Sequence, residues 1–232
     1  MSRIVITEFM GEAAVASLKA RYSVHHDPKL YAKPDELARL LADVPALIVR
    51  NQTQVRGPVL EAAKALKVVG RLGVGLDNLD MEACTARGIR VFPATGANSL
   101  SVVEYVIGTM MTLMRGAYFA NAAMLAGEFP KTKLIGREIA GKLMGLVGFG
   151  GIARGGIMDE AALVAALKAD KLGGAAIDVY EQEPLGKDAA KVFAGTPNLI
   201  LTPHIAGNTV ESNGRVSGLV AERVMAALDG RI

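Results

Sequence analysis

Short β-branched runs alternate with helical patterns through the first hundred residues. "RIVITEF", "YSVHH", "ALIVRN", "KVVGRLGV" and "IRVFPA" are apolar runs of strand length. Between them lie "GEAAVASLKA", "KPDELARLLADV", "GPVLEAAKAL" and "MEACTARG", whose apolar positions recur at helical spacing. Strand–helix alternation of this kind predicts a parallel sheet with crossover helices.

The pattern then changes. After "TGANSLS" comes a long helical candidate over residues 99–126, rich in Met, Ala and Val, with Asn98 or Ser99 placed to cap it. A helix apolar on most sides is buried, and core filling and a dimer contact are equally good reasons for it. Next, "KLMGLVGFGGIAR" predicts a strand and a glycine loop, and "DEAALVAALKADKLGG" predicts a helix started by Asp159. "AAIDVYEQEP" and "NLILTPHIAG" predict strands, and a helix closes the chain.

Composition narrows the class. Of 232 residues, 51% are hydrophobic and 21% charged, which is globular rather than disordered. The net charge is only +3, with no Lys/Arg run beyond isolated pairs, so nucleic acid is not an expected partner. The single cysteine, Cys84, rules out an internal disulfide and reads as a small buried hydrophobe. The start lacks a secretory h-region, and the greasiest stretch carries Glu104 and is too short to span a bilayer. A cytoplasmic protein without membrane contact is the expectation. His25 and His26 have no companions at ligand spacing, so no metal site is expected.

Gly148, Gly150 and Ala153 match the dinucleotide fingerprint G-x-G-x-x-G/A directly after an apolar strand. In that motif small residues let backbone and helix N-terminus approach a pyrophosphate. The helix should start at once, yet Gly155 and Gly156 occupy its first turn, at about 1 kcal/mol each relative to alanine. The ribose-binding acid expected about 20 residues on is also displaced. Asp170 has the spacing but ends a helix, while Asp178 and Glu181 end a strand but lie too far along.

Four segments, "GRLGVGLDNLD", "ARGGIMDE", "GGAAIDVYEQEPL" and "LILTPHIAG", in that order, resemble the D-isomer-specific 2-hydroxyacid dehydrogenases. The resemblance implies an α/β chain of two domains. One is a flavodoxin-like substrate domain, residues 1–97 with 205–232. The other is a Rossmann-type nucleotide-binding domain, residues 98–204, that holds NAD, with NADP the open alternative. It implies catalytic roles for Arg154, which would grip the substrate carboxylate, and for Glu183 hydrogen-bonded to His204. His204 would take the hydroxyl proton as hydride leaves for the nicotinamide. Gly148, Phe149, Gly150, Gly151, Ile152, Ala153 and Asp178 would line the cofactor. Gly73, Val74 and Gly75 would receive the substrate carboxylate, with Asn98 nearby, and Arg50 and Asn51 its distal group. An arginine there suits a second anion such as sulfonate or phosphate, and a solvated surface arginine is the competing expectation. A homodimer is implied as well.

The chain departs from the family at one point. In the family the glycine fingerprint and the "ARGG" segment stand about two and a half strand–helix units apart, at ~30 residues per unit. Here they share Ala153 and Arg154, as two motifs joined across a deletion. An incomplete nucleotide domain with poor NAD affinity and little turnover follows. The alternative to a dehydrogenase is a non-catalytic remnant that binds a small acid or a protein partner.

Overall fold

A computed structural model describes residues 3–148 and 156–232. In chain order the elements are β1 (Arg3–Ile6), α1 (Glu12–Lys19), β2 (Ser23–His26), α2 (Pro34–Leu41), β3 (Ala46–Val49) and α3 (Gly57–Ala62). Then come β4 (Val68–Arg71), α4 (Met81–Ala86), β5 (Arg90–Pro93), α5 (Ser99–Arg115) and α6 (Asn121–Leu125). The series ends with α7 (Glu160–Lys168), β6 (Ala175–Ile177), β7 (Leu199–Leu201) and α8 (Val210–Leu228). The chain divides into two compact units, Met1–Asn98 with Asn208–Ile232, and Ser99–Gly207.

The first unit is a five-stranded parallel sheet in the order β2-β1-β3-β4-β5, the flavodoxin-like winding. Alternate side chains of its strands enter two separate cores. Ile4, Ile6, Ile48 and Val68 pack with Val15 and Leu18 of α1 and Val220 and Val224 of α8. Val5, Leu47, Val49 and Val69 pack with Leu37 and Leu41 of α2, Leu60 of α3 and Cys84 of α4. Burial on both faces explains why these strands read as continuous apolar runs. Gly70 in β4 lets α8 lie close, because a Cβ there would fall 2.6 Å from Val220 and 2.8 Å from Val224.

The second unit is sparser. Among the described residues its sheet holds only β6 and β7, paired in parallel. Its buried cluster is Val164, Ile177, Tyr180 and Phe193, the two rings meeting edge to face at 6.0 Å. Two expectations fail here. The helix over 99–126 is broken after Arg115, where Gly116 takes a left-handed φ of +40°, and a short 3₁₀ turn and α6 follow. The strand expected at "LMGLVG" does not form: residues 142–146 carry no strand pairing, and Leu143 is 100% exposed. β-propensity is satisfied only by a neighbouring strand and a face to cover, and this segment has neither.

Candidate functional site

In open α/β sheets ligands gather beyond the carboxyl ends of the strands. In the first unit that edge is organised by Glu8, two residues past β1. Its carboxylate accepts four consecutive main-chain N–H groups: Arg50 at 2.9 Å and Thr53 at 3.0 Å on Oε1, Asn51 at 3.1 Å and Gln52 at 2.9 Å on Oε2. Burial alone would raise its pKa, but the hydrogen bonds from Gln52, Thr53 and Arg50 outweigh it and hold the carboxyl below its usual range. Thr7 and Thr53 add a buried hydroxyl contact of 2.6 Å under the same loop.

Arg50 leaves this loop with Nη2 donating to Asn208 Oδ1 at 3.2 Å and Asn213 Oδ1 at 3.1 Å, and its guanidinium stands 5.9 Å from the Phe9 ring centre. Arg50 is half-buried and Asn51 exposed. Arg71, at the end of β4, also has a half-buried side chain, and its Nε has no hydrogen-bond partner among the described residues. Burial pulls both guanidiniums down from their usual range, while the Glu8 charge pulls them back. Of the three residues expected to offer amides to a carboxylate, Gly73 does not: its N–H donates to the Arg71 carbonyl at 2.8 Å. Val74 and Gly75 follow it on the same half-buried loop. Asn98 is the last residue of this unit's first segment, directly before α5.

Sequence reasoning missed Glu8 and Arg71. Both carried a signal, a charged residue closing or following an apolar strand on the edge where ligands collect. His25 and His26, expected to be solvated, are also half-buried, and His26 Nε2 lies 3.2 Å from the Glu8 carbonyl oxygen.

In the second unit Glu183 and His204 come together, with Oε2 2.8 Å from Nδ1. A carboxylate only accepts, so Nδ1 carries the hydrogen and Nε2 is left as the basic nitrogen. Glu183 Oε1 also accepts from the Tyr180 amide at 3.0 Å, which fixes the carboxylate. His204 sits at φ +54°, a region sparsely populated by residues with a Cβ, so its loop must be held from outside. Asp178 holds it: Oδ1 accepts from Thr202 Oγ1 at 2.6 Å and from Ile205 N at 2.9 Å, and Oδ2 from Ala206 N at 2.9 Å. Tyr180 OH adds a bond to the Thr202 carbonyl at 2.9 Å, and Tyr105 OH meets Thr202 Oγ1 at 2.6 Å. Asp178, expected to meet the cofactor, thus has both oxygens engaged in shaping the histidine loop.

The described residues contain no complete dinucleotide cradle. A phosphate cradle needs strand, glycine turn and helix N-terminus in immediate succession. Here the segment before Gly148 is unpaired, and α7 begins at Glu160, capped by Asp159 on the Ala162 amide at 2.9 Å. The expected cofactor contacts Phe149, Gly150, Gly151, Ile152 and Ala153, and the catalytic candidate Arg154, lie outside the described residues. No cluster of three or more His, Cys, Asp or Glu side chains able to hold a metal occurs among the described residues. No described helix is long and apolar enough to cross a membrane.

The chain is 39% identical to the (S)-sulfolactate dehydrogenase of Chromohalobacter salexigens over all of both chains. That alignment runs to 313 positions, 81 more than the 232 residues here, and end-to-end coverage puts the unmatched positions inside the chain. It is 28% identical to the D-3-phosphoglycerate dehydrogenase of Archaeoglobus fulgidus, with 98% of this chain but 58% of that protein covered. The chain thus spans little more than half the length of that relative. A crystal structure of a Thermus thermophilus protein superposes with a TM-score of 0.85 at 23% identity, over 98% of this chain and 97% of the other, a likeness of fold. The profile for the D-isomer specific 2-hydroxyacid dehydrogenase catalytic domain matches residues 4–232. On that match, the chain belongs to the D-isomer specific 2-hydroxyacid dehydrogenases, a family of NAD(P)-dependent oxidoreductases.

Proposed function

We propose that this chain carries the acid-binding and proton-transfer half of a 2-hydroxyacid oxidoreductase, acting on a small 2-hydroxy or 2-keto acid with a second anionic group of the sulfolactate kind. The observation that supports it best is the Glu183–His204 pair at 2.8 Å, in a loop that Asp178 holds in an otherwise unfavourable backbone conformation. In this role His204 Nε2 takes the proton of the C2 hydroxyl, and returns it to the carbonyl oxygen in the reverse direction. Glu183 steadies the imidazolium formed on the way. Arg154 is the residue assigned to grip the substrate carboxylate, and Arg50 with Asn51 the distal anion. Val74 and Gly75 are the remaining amide candidates for the carboxylate.

The other half of the reaction is where this chain falls short. The 81 unmatched positions amount to about two and a half strand–helix units of ~30 residues, which matches the spacing lost between the two glycine motifs. Together with the unpaired segment before Gly148, this supports a nucleotide-binding domain that is incomplete, with weak affinity for NAD or NADP and little turnover. Binding of the acid survives that loss, because the sheet carrying Arg50 and Arg71 is whole. A homodimer in the cytoplasm completes the proposal. Its support is a stripe of exposed side chains along α5, Leu100, Val103, Ile107 and Met111, at helical spacing.

The test is calorimetric titration of the full chain with sulfolactate and, separately, with NADH. Saturable sulfolactate binding with no saturable NADH binding is expected. NADH-dependent reduction of sulfopyruvate at a rate usual for enzymes would overturn the impaired half, and absence of sulfolactate binding would overturn the acid-binding half.

A further inference from the structure

The Glu8 carboxylate accepts four hydrogen bonds, and nothing in the proton-transfer chemistry employs it. Its residue is 3% exposed, yet both its oxygens face N–H donors. Four N–H groups in a row point at its two oxygens, so the amides of residues 50–53 are spoken for. A ligand arriving at this loop meets side chains and not main-chain donors.

The charges matter as much as the hydrogen bonds. Two guanidiniums, Arg50 and Arg71, are drawn partly out of water at the same sheet edge, and the charge on Arg50 disfavours the charged form of Arg71 further. Arg50 is satisfied by neutral acceptors, Asn208 and Asn213, and Arg71 Nε by none among the described residues. Neither arginine has a direct ion-pair partner among the described residues. Glu8 is the charge opposing both, and the Asp77 charge opposes Arg71 as well, so two carboxylates balance two guanidiniums in a poorly hydrated place. A sulfonate carries one negative charge at neutral pH, whereas a phosphate monoester carries about 1.5 to 2.

We propose, resting on the acid-binding function above, that Glu8 is the positioning residue of the acid site: it fixes the 50–53 loop through four main-chain hydrogen bonds and offsets arginine charge, tuning the site toward a singly rather than a doubly charged distal anion. Glu8 touches no substrate in this role. It acts through the placement of Arg50 and Asn51 and through the field at Arg71.

The test uses the full chain, hydrogen–deuterium exchange, and calorimetry with sulfolactate and 3-phosphoglycerate as probes. Wild type binds sulfolactate the more tightly. In Glu8→Gln the side chain turns an NH2 toward two of the four amides, so exchange over residues 50–53 rises by about tenfold or more while β1 and β3 stay protected. The affinity ratio of sulfolactate to 3-phosphoglycerate falls by about fivefold, because the site has lost one of its two negative charges. Glu8→Asp separates the two effects: a shorter arm loosens the loop, and the retained charge leaves the ratio unchanged. Unaltered exchange in Glu8→Gln would overturn the clamp. Equal weakening of both acids in Glu8→Gln would reduce Glu8 to a structural residue and overturn the tuning. A wild type that binds neither acid contradicts the function beneath the proposal and removes the tuning with it, while the exchange comparison alone still decides the clamp.

Discussion

The two units draw on similarly apolar sequence and reach different outcomes. In the first, "ALIVRN" becomes β3, with neighbours on both sides and a helix layer over each face. In the second, "LMGLVG" carries as many apolar side chains, yet it stays unpaired with Leu143 in water. The difference is partnership. A parallel strand is stabilised by what lies beside and above it, and the second unit offers this segment neither. Both units nevertheless share one device, a carboxylate that gathers consecutive amides to shape a loop: Glu8 with those of residues 50–53 and Asp178 with those of Ile205 and Ala206.

The strongest way to break this comparison is to make one substitution in both sheets and follow urea unfolding by circular dichroism. Leu47→Ala removes a fully buried side chain from β3 and should cost about 2–5 kcal/mol. Leu201→Ala in β7 removes one already 39% exposed and should cost under about 1 kcal/mol. Equal costs would show that the second sheet is as well packed as the first.

A smaller effect is expected at Gly70. Valine there meets Val220 and Val224 of α8 and should cost about 1–3 kcal/mol through overpacking. Equal thermal midpoints for Gly70→Val and wild type would mean that α8 does not lie so close.

Next in size is Glu8→Gln, at about 1–2 kcal/mol from buried donors left facing an NH2 group. This contribution also depends on pH. The folded carboxyl titrates below its unfolded value, so its stabilisation is fully present above the unfolded pKa and disappears as pH falls through the folded one. Urea midpoints of wild type and Glu8→Gln should therefore converge on acidification, and a constant gap down to strong acid would contradict the assignment. The groups facing this carboxyl are Arg50 and Arg71, both cationic throughout that range.

The smallest stability change belongs to His204, the proposed proton-transfer residue. His204→Gln alters a side chain that is 57% exposed and should shift stability by no more than about 0.5 kcal/mol. A large loss of stability would recast Glu183–His204 as a structural pair rather than a proton-transfer one.

The sequence made the first unit legible because its strands are buried on both faces and its helices on one, which writes period and run length plainly. The Glu183–His204 pair was legible only through resemblance, since 21 residues separate two side chains that β6, β7 and their loops bring together. Glu8 was not recognised, because a lone acid after a strand acquires meaning only once the loop after β3 folds over it. The hold of Asp178 on the histidine loop was not legible, because Thr202, Ile205 and Ala206 lie 24 to 28 residues along and meet it only through the β6–β7 pairing. The 99–126 segment was misjudged because its composition favours helix throughout, and a single glycine conformation ends it.

The most direct test of the proposed division between a whole acid-binding unit and a shortened nucleotide-binding one is titration of the purified full chain with NADH, followed on the same sample by sulfolactate. Saturable sulfolactate binding alone is the expected result. Tight, saturable NADH binding would contradict it, and would mean that the stretch between Lys142 and Asp178 builds a complete dinucleotide site after all.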